Sequence, residues 1–263
     1  MKIVSKFIFF IGDRIIKVVE KSGFTIILLL KTAYYLKNSF SKSKKIFEQM
    51  YIAGVKSLVV CSIVAFFTGM ILALQTGLEL MQFQQQAFVG NIVISTLTRE
   101  MGPFVTAIII IASVGSAMAA EIATMKVSEE IDALSMMTIS PIKFLIMPRI
   151  VALSIMLPMA TIYTNFIGTI GGAVVAKYQL HVPYDIYYMH VLDSLQFKAV
   201  YVGLFKALIF GIIISSVSCA EGLRATNGAI GVGRATRTSV VSSFLLILII
   251  GYFITAIFYG GTF

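Results

Sequence analysis

Seven charged side chains, Glu121, Lys126, Glu129, Glu130, Asp132, Lys143 and Arg149, crowd into residues 120–150 of a chain that is 13% charged and 58% hydrophobic. Catalysis is a poor use for them. Glu129 and Glu130 are adjacent, so on a helix they point in different directions and cannot act as a pair on one substrate. What they can do is present a charged surface. On a helix inside 121–139, Val127, Ile131, Leu134 and Thr138 share one stripe, and Glu129, Asp132 and Met136 fall opposite. Ser128 precedes Ile131, and Pro141 stops the helix. The apolar stripe can rest on membrane or on another helix while the acidic side meets a soluble partner. A solvated connecting helix fits the same pattern, and periodicity alone leaves both readings open.

Other residues with chemical potential are few. Arg99-Glu100-Met101-Gly102-Pro103 has its proline where a first helical turn accepts one. Its guanidinium could hold a lipid phosphate, or the two charges could pair or snorkel at a membrane boundary. Just before it, Leu80, Met81, Phe83 and Gln84, Gln85 and Gln86 are apolar and amide-rich, which suits an amphipathic ligand and equally an interfacial helix. Lys206 stands in an apolar run, close enough to its outer end to snorkel, although an intramembrane charge is a functional candidate by default. Gly228-Ala-Ile-Gly-Val-Gly-Arg234 is no phosphate loop: the Gly-Lys-Ser/Thr ending and a preceding strand are both missing. It reads as an inner loop, with Arg234 and Arg237 near anionic lipid heads or a partner. Any ATP must then be bound by another chain. His181 and His190 lack metal-ligand spacing, and Cys61 and Cys219 read as small buried apolar residues with no disulfide framework.

The elements that must position these residues are membrane spans. A mean hydropathy of +0.94 over 263 residues marks an all-α polytopic membrane protein. Five spans are expected, at about 52–74, 103–120, 145–176, 200–219 and 240–258. The third exceeds one bilayer, so it tilts or carries 168–172 beyond the hydrocarbon. Residues 1–46 read as an amphipathic interfacial segment and a basic linker (37–45), and 47–263 as the transmembrane domain. Charges at Lys6, Asp13, Arg14, Lys17, Glu20, Lys21 and Lys31 interrupt 3–36, which suits a helix in the inner leaflet followed by a re-entrant turn at 24–30. A sixth, short span at 22–36 is the alternative. Residues 1–56 hold eleven Lys/Arg and three Asp/Glu, a net +8 of the total +9. The positive-inside rule puts that end in the cytoplasm, with 120–148 and 220–239. The external connections are then 75–102 and 177–199. Small residues at 115–119 and 168–172 have the spacing that lets helix backbones approach. No internal repeat points to an inverted-repeat carrier, and the spans lack the polar residues a channel would need.

These residues also carry a resemblance. The run Ala120-Glu-Ile-Ala-Thr-Met-Lys-Val-Ser-Glu-Glu-Ile-Asp-Ala-Leu134, with Pro141 and Pro148-Arg149 behind it, resembles the signature of the MlaE-like permeases, membrane subunits of ABC transporters that work with MCE proteins. Gly69-Met-Ile-Leu-Ala-Leu-Gln75, Arg99-Glu-Met-Gly-Pro103, Gly115-Ser-Ala117 and Gly233-Arg-Ala-Thr-Arg-Thr238 match in order, from about residue 48 to the C-terminus. The resemblance implies a homodimer bound to two cytoplasmic ATPases that supply ATP, with no cofactor in this chain, and to a periplasmic MCE lipid-binding protein. It implies phospholipid or related hydrophobic lipid as cargo, moved between the inner membrane and the cell envelope. A non-transporting membrane scaffold for a cytoplasmic complex is the alternative. The resemblance further implies that 121–141 is a coupling helix in the ATPase groove, through Glu121, Lys126, Glu129, Glu130, Asp132 and Leu134. A lipid pocket at the dimer interface would use Leu72, Leu80, Phe83, Arg99 and Glu100. The N-terminal segment would be an elbow helix. Ser140 stands where an acidic residue is usual, Thr138 where glycine is common, and Phe83 lacks a hydroxyl.

Overall fold

A computed structural model describes residues 2–35 and 43–260. Among them all regular structure is helical. Helix α1 (Lys2–Tyr35) is unbroken. The re-entrant turn expected at 24–30 is therefore absent, because that stretch has no Pro or Gly and its residue Leu28 is anchored in a cluster with Ile131, Ile146 and Cys219. α1 is not one of the helices long and apolar enough to span. Residues 37–42 of the basic linker lie outside the described residues.

Helix α2 (Ser43–Ala53) leads through a tight turn at Val55–Ser57 into α3 (Leu58–Gln82). The chain turns back at once. Gln86–Val127 is one long helical path made of α4 (Val89–Thr96), α5 (Gly102–Ile110) and α6 (Ser116–Val127). Wide π-type turns at Leu97–Met101 and Ile111–Gly115 join them. Short α7 (Glu130–Met136) follows. Then come α8 (Met147–Tyr178), entered through a third wide turn at Ile142–Ile146, and α9 (Tyr184–Asp193). Helices α10 (Phe197–Leu223) and α11 (Gly228–Tyr259) complete the fold.

Among the described residues, five helical paths are long and apolar enough to cross a bilayer: Leu58–Gln82, Gln86–Val127, Ile142–Tyr178, Phe197–Leu223 and Gly228–Tyr259. They match the five expected spans in order, but the fifth begins at Gly228, so the run Gly228–Arg234 expected as an inner loop forms the first turns of α11. The second differs in extent. Its 42 residues would run about 63 Å at helical rise, twice a hydrocarbon core. Most of 75–102, expected as an external connection, is helix. Polar Gln, Asn, Ser and Thr side chains depress hydropathy there, but packing holds the helix. Val89, Val93 and Leu97 are almost fully buried with Ala173, Ala176 and Tyr187.

The centre of the bundle is apolar: Ile110, Val114, Leu153, Leu157, Phe210, Ile214 and Ile247 bring α5, α8, α10 and α11 together. Residues 168–172 lie inside the bundle. A Cβ on Gly69 of α3 would sit 1.8 Å from the Gly168 carbonyl oxygen, and one on Gly171 would sit 2.2 Å from that of Phe66. The small residues thus serve close α3–α8 contact within one chain. Gly115 similarly faces Ile214 and Ser218 of α10.

Candidate functional site

Charged groups gather at both ends of the bundle. At the α7 end, the helix expected across 121–139 is two helices. Ser128 Oγ donates back to the Thr124 carbonyl at 2.6 Å, and Glu129 takes a left-handed φ of 63°, so α6 stops and α7 starts in a new direction. Lys126 Nζ crosses that corner to both carboxylate oxygens of Asp132, at 2.8 and 2.9 Å. Ile131 is buried in the cluster shared by α1, α8 and α10, and Leu134 is half-buried. Glu129, Glu130, Asp132 and Met136 face outward, the last at 88% exposure. The expected sidedness of the stripe therefore holds at Ile131, on a shorter helix, whereas Thr138 is exposed. Glu121 is separate from this outward surface. It accepts a 2.8 Å bond from Arg149, whose guanidinium is buried beneath the helix.

At the opposite end, Glu100 sits in the first wide turn. The snorkelling expected of Lys206 does not occur: the residue is 1% exposed. Its ammonium donates to Glu100 Oε1 at 2.6 Å, Thr255 Oγ1 at 2.7 Å and the Arg99 carbonyl at 3.0 Å. Thr255 in turn donates to Glu100 at 2.7 Å. A buried ammonium that finds three acceptors has no need of water. The wide turn matters here, because it moves the Arg99 carbonyl and the Glu100 side chain off the regular ladder toward α10. Arg99 points elsewhere, donating to Gln196 Oε1 at 3.2 Å and lying 5.1 Å from the Tyr259 ring.

A cavity of about 240 Å³ opens beside this network. Met101, Phe104, Phe210, Ile247 and Tyr252 give it apolar walls, and Glu100 and Lys206 close one end. The remaining residues implicated by the resemblance lie apart. Leu72 and Leu80 of α3 rest half-buried on the α4–α8–α9 cluster, and Phe83 is 74% exposed at the turn after α3. One chain thus unites Arg99 and Glu100 with Lys206, Gln196 and Thr255, but not with Leu72, Leu80 or Phe83. Above the same end, α9 is pinned by Tyr187, whose hydroxyl donates to the Thr169 carbonyl at 3.2 Å. Burial, with Tyr188 beside it, pushes the Tyr187 phenol above its usual pKa.

Sequence spacing could not find the partners of Lys206 or Arg149, which are remote in the chain. The only signal was a lysine inside an apolar run.

The model of the family described as Permease MlaE matches residues 46–257. A probable ABC transporter permease protein of Synechocystis sp. is 39% identical over 215 residues, 82% of each chain. One from Rickettsia typhi is 40% identical over 214 residues, 81% of this chain and 83% of its own. One from Rickettsia bellii is 36% identical over 250 residues, 95% and 96% respectively.

Proposed function

Because the chain belongs to the MlaE permease family, as a membrane subunit of an ABC transporter whose ATP hydrolysis lies in a separate subunit, we propose that its cargo is phospholipid or a related hydrophobic lipid. The observation that carries this reading is the cavity at Glu100 and Lys206. It has apolar walls and a single charged end, the polarity of an amphipathic molecule. A head group bearing an amine can donate to the Glu100 carboxylate, which is 46% exposed, while acyl chains lie against Met101, Phe104, Leu248 and Tyr252.

The wall formed by α11 faces outward. In the most apolar stretches of α11 and α3 only 17% and 22% of residues are buried, against 56% in the other three spans. A second copy of the chain covering these two helices would turn the half-open cavity into an enclosed one and bring Leu72 and Leu80 nearer to it. At the other end, the outward acids of α7 are the surface for the ATPase, which puts the N-terminal segment and α7 in the cytoplasm and the protein in the inner membrane. An MCE protein at the Glu100 end would receive or deliver the lipid. The energetics require both partners. Extracting an acyl chain from the bilayer costs about 0.8 kcal/mol per methylene, so transfer needs ATP-driven closure and an apolar receiver.

The test is reconstitution of the permease with its ATPase in vesicles holding a fluorescent phospholipid. ATP-dependent transfer to an MCE acceptor is expected, together with co-purified lipid that is lost on Lys206→Met. Full ATP hydrolysis with no lipid moved in either direction, and no lipid bound, would leave a membrane scaffold as the better description.

A further inference from the structure

A second cavity lies far from Glu100, where the start of α11 meets α1 and the end of α10. It measures about 230 Å³, and its lining includes Lys21, Glu221, Arg224, Asn227, Gly231 and Arg234. Three cations thus share one small space with a single carboxylate. With Glu20 beside the lining, two carboxylates lie near the three cations, and neither binds one closely. Lys21 Nζ is 3.6 Å from Glu221, and Arg224 Nη2 is 3.8 Å from Glu20, both beyond hydrogen-bond length. The Arg224 Nη1 nitrogen is buried and makes no hydrogen bond, which is costly for a charged donor unless something occupies the space beside it. The first N–H groups of the 32-residue α11 have no side-chain cap, and Ile230 of that turn lines the cavity, whereas the Gly231 N–H is already given to the Asn227 carbonyl. Two guanidinium groups, an ammonium and a helix start together form a donor set for tetrahedral oxyanions.

We propose that this cavity binds a phosphate group. The group can be the head of an anionic lipid in the leaflet at the α7 end, or a free phosphate ion. Geometry favours the lipid. Helix α1, which supplies Lys21, carries exposed Phe24, Ile27 and Leu30 in the turns that follow, and Ile230 of α11 is 76% exposed at the rim. An acyl chain leaving the head group has apolar surface to lie on. The site does not depend on the cargo reading. It would fasten α1 to α10 and α11 through a ligand at the end where α7 sits.

The experiment uses the full chain in phosphatidylcholine nanodiscs doped with phosphatidylglycerol, with retained anionic lipid counted by native mass spectrometry. Inorganic phosphate is titrated as a competitor. The variants are Lys21→Gln with Arg234→Gln, and Arg224→Gln. The control is Arg237→Gln, on the same helix but outside the cavity lining. Lipid affinity is expected to fall about five-fold per cation removed, and about twenty-five-fold in the double variant, with Arg237→Gln unchanged. Displacement of the lipid by inorganic phosphate, or phosphate binding without lipid, also supports the site and assigns the free ion as a ligand. Equal loss in Arg237→Gln would reduce the effect to general surface charge and overturn the proposal. So would unchanged retention in the double variant. Lys21 is 45% exposed, so Lys21→Gln alone supplies a readout in a variant whose fold is not at risk.

Discussion

Lys206 turns an apparent defect, a cation in a membrane helix, into a fixed point. With 1% of its surface exposed, it depends on Glu100, Thr255 and one backbone carbonyl. Removing one member of such a pair leaves the other charged and unmatched, whereas removing both need not be costly. Glu100→Ala is expected to destabilise the protein by about 3 kcal/mol, the lower end for a buried pair because Glu100 itself is half-exposed. Glu100→Ala with Lys206→Met should recover part of that loss. Thermal melting of the four proteins in one detergent closes the cycle, and strictly additive losses would show that the two groups are uncoupled. The sequence exposed Lys206 as an anomaly but not its partners. Pairing between residues 100, 206 and 255 is decided by how three helices pack, and no local spacing encodes that. Arg149 and Glu121 are the same lesson at the other end. Both lie in the charged stretch, yet nothing in the pattern marks Arg149 as the one that is buried.

Elements depart from expectation where backbone conformation, rather than hydropathy, decides. The helix read across 121–139 has a continuous apolar stripe, but two residues in it take left-handed φ, Glu129 at 63° and Thr138 at 60°. Thr138 is β-branched, and a β-branched residue at that φ is strained. Thr138→Gly should therefore stabilise the chain by about 1 kcal/mol. A fall in melting temperature would mean that the Thr138 hydroxyl, 2.6 Å from the Met137 carbonyl, outweighs the strain. Glu129→Lys with Glu130→Lys should leave melting unchanged, because both side chains are exposed, while abolishing permease-stimulated ATP hydrolysis. Normal stimulation by the folded double variant would take the docking role away from α7. The α3–α8 contact supplies a contrast within one residue type. Gly69→Ala drives a methyl into the Gly168 carbonyl and should cost about 3 kcal/mol or prevent assembly. Gly233→Ala meets nothing within 4 Å and should gain up to about 1 kcal/mol from helix propensity. The sequence marked neither position as a packing site. Only the crossing point of two helices tells them apart.

The whole molecule is polar in the sense of having two different ends. Five spans put the start of α3 and the end of α11 on opposite sides. Ile131 of α7, Leu28 of α1 and Cys219 of α10 form one cluster at the first end, and Lys206 binds Glu100 and Thr255 near the other. The charge asymmetry, net +8 in residues 1–56 of a total +9, is the ground for expecting the first end in the cytoplasm under the positive-inside rule. This much is legible in the chain's composition and hydropathy, because span count and charge bias survive errors of many residues at each boundary. The extension of the second span is not, since its polar turns are held by neighbours. The assignment makes a definite prediction. In a background with Cys61→Ala and Cys219→Ala, Met136→Cys and Phe83→Cys are both well exposed positions, at 88% and 74%, on opposite ends of the bundle. In intact cells an impermeant maleimide should label the Phe83→Cys protein and spare the Met136→Cys protein until the membrane is opened. The reverse pattern would put α7 outside, where no ATPase could reach it, and the ion pair at Glu100 would then face the cytoplasm. Labelling of both in intact cells would instead mean that the spans do not separate the two ends, and the bundle could not work as a barrier-crossing subunit at all.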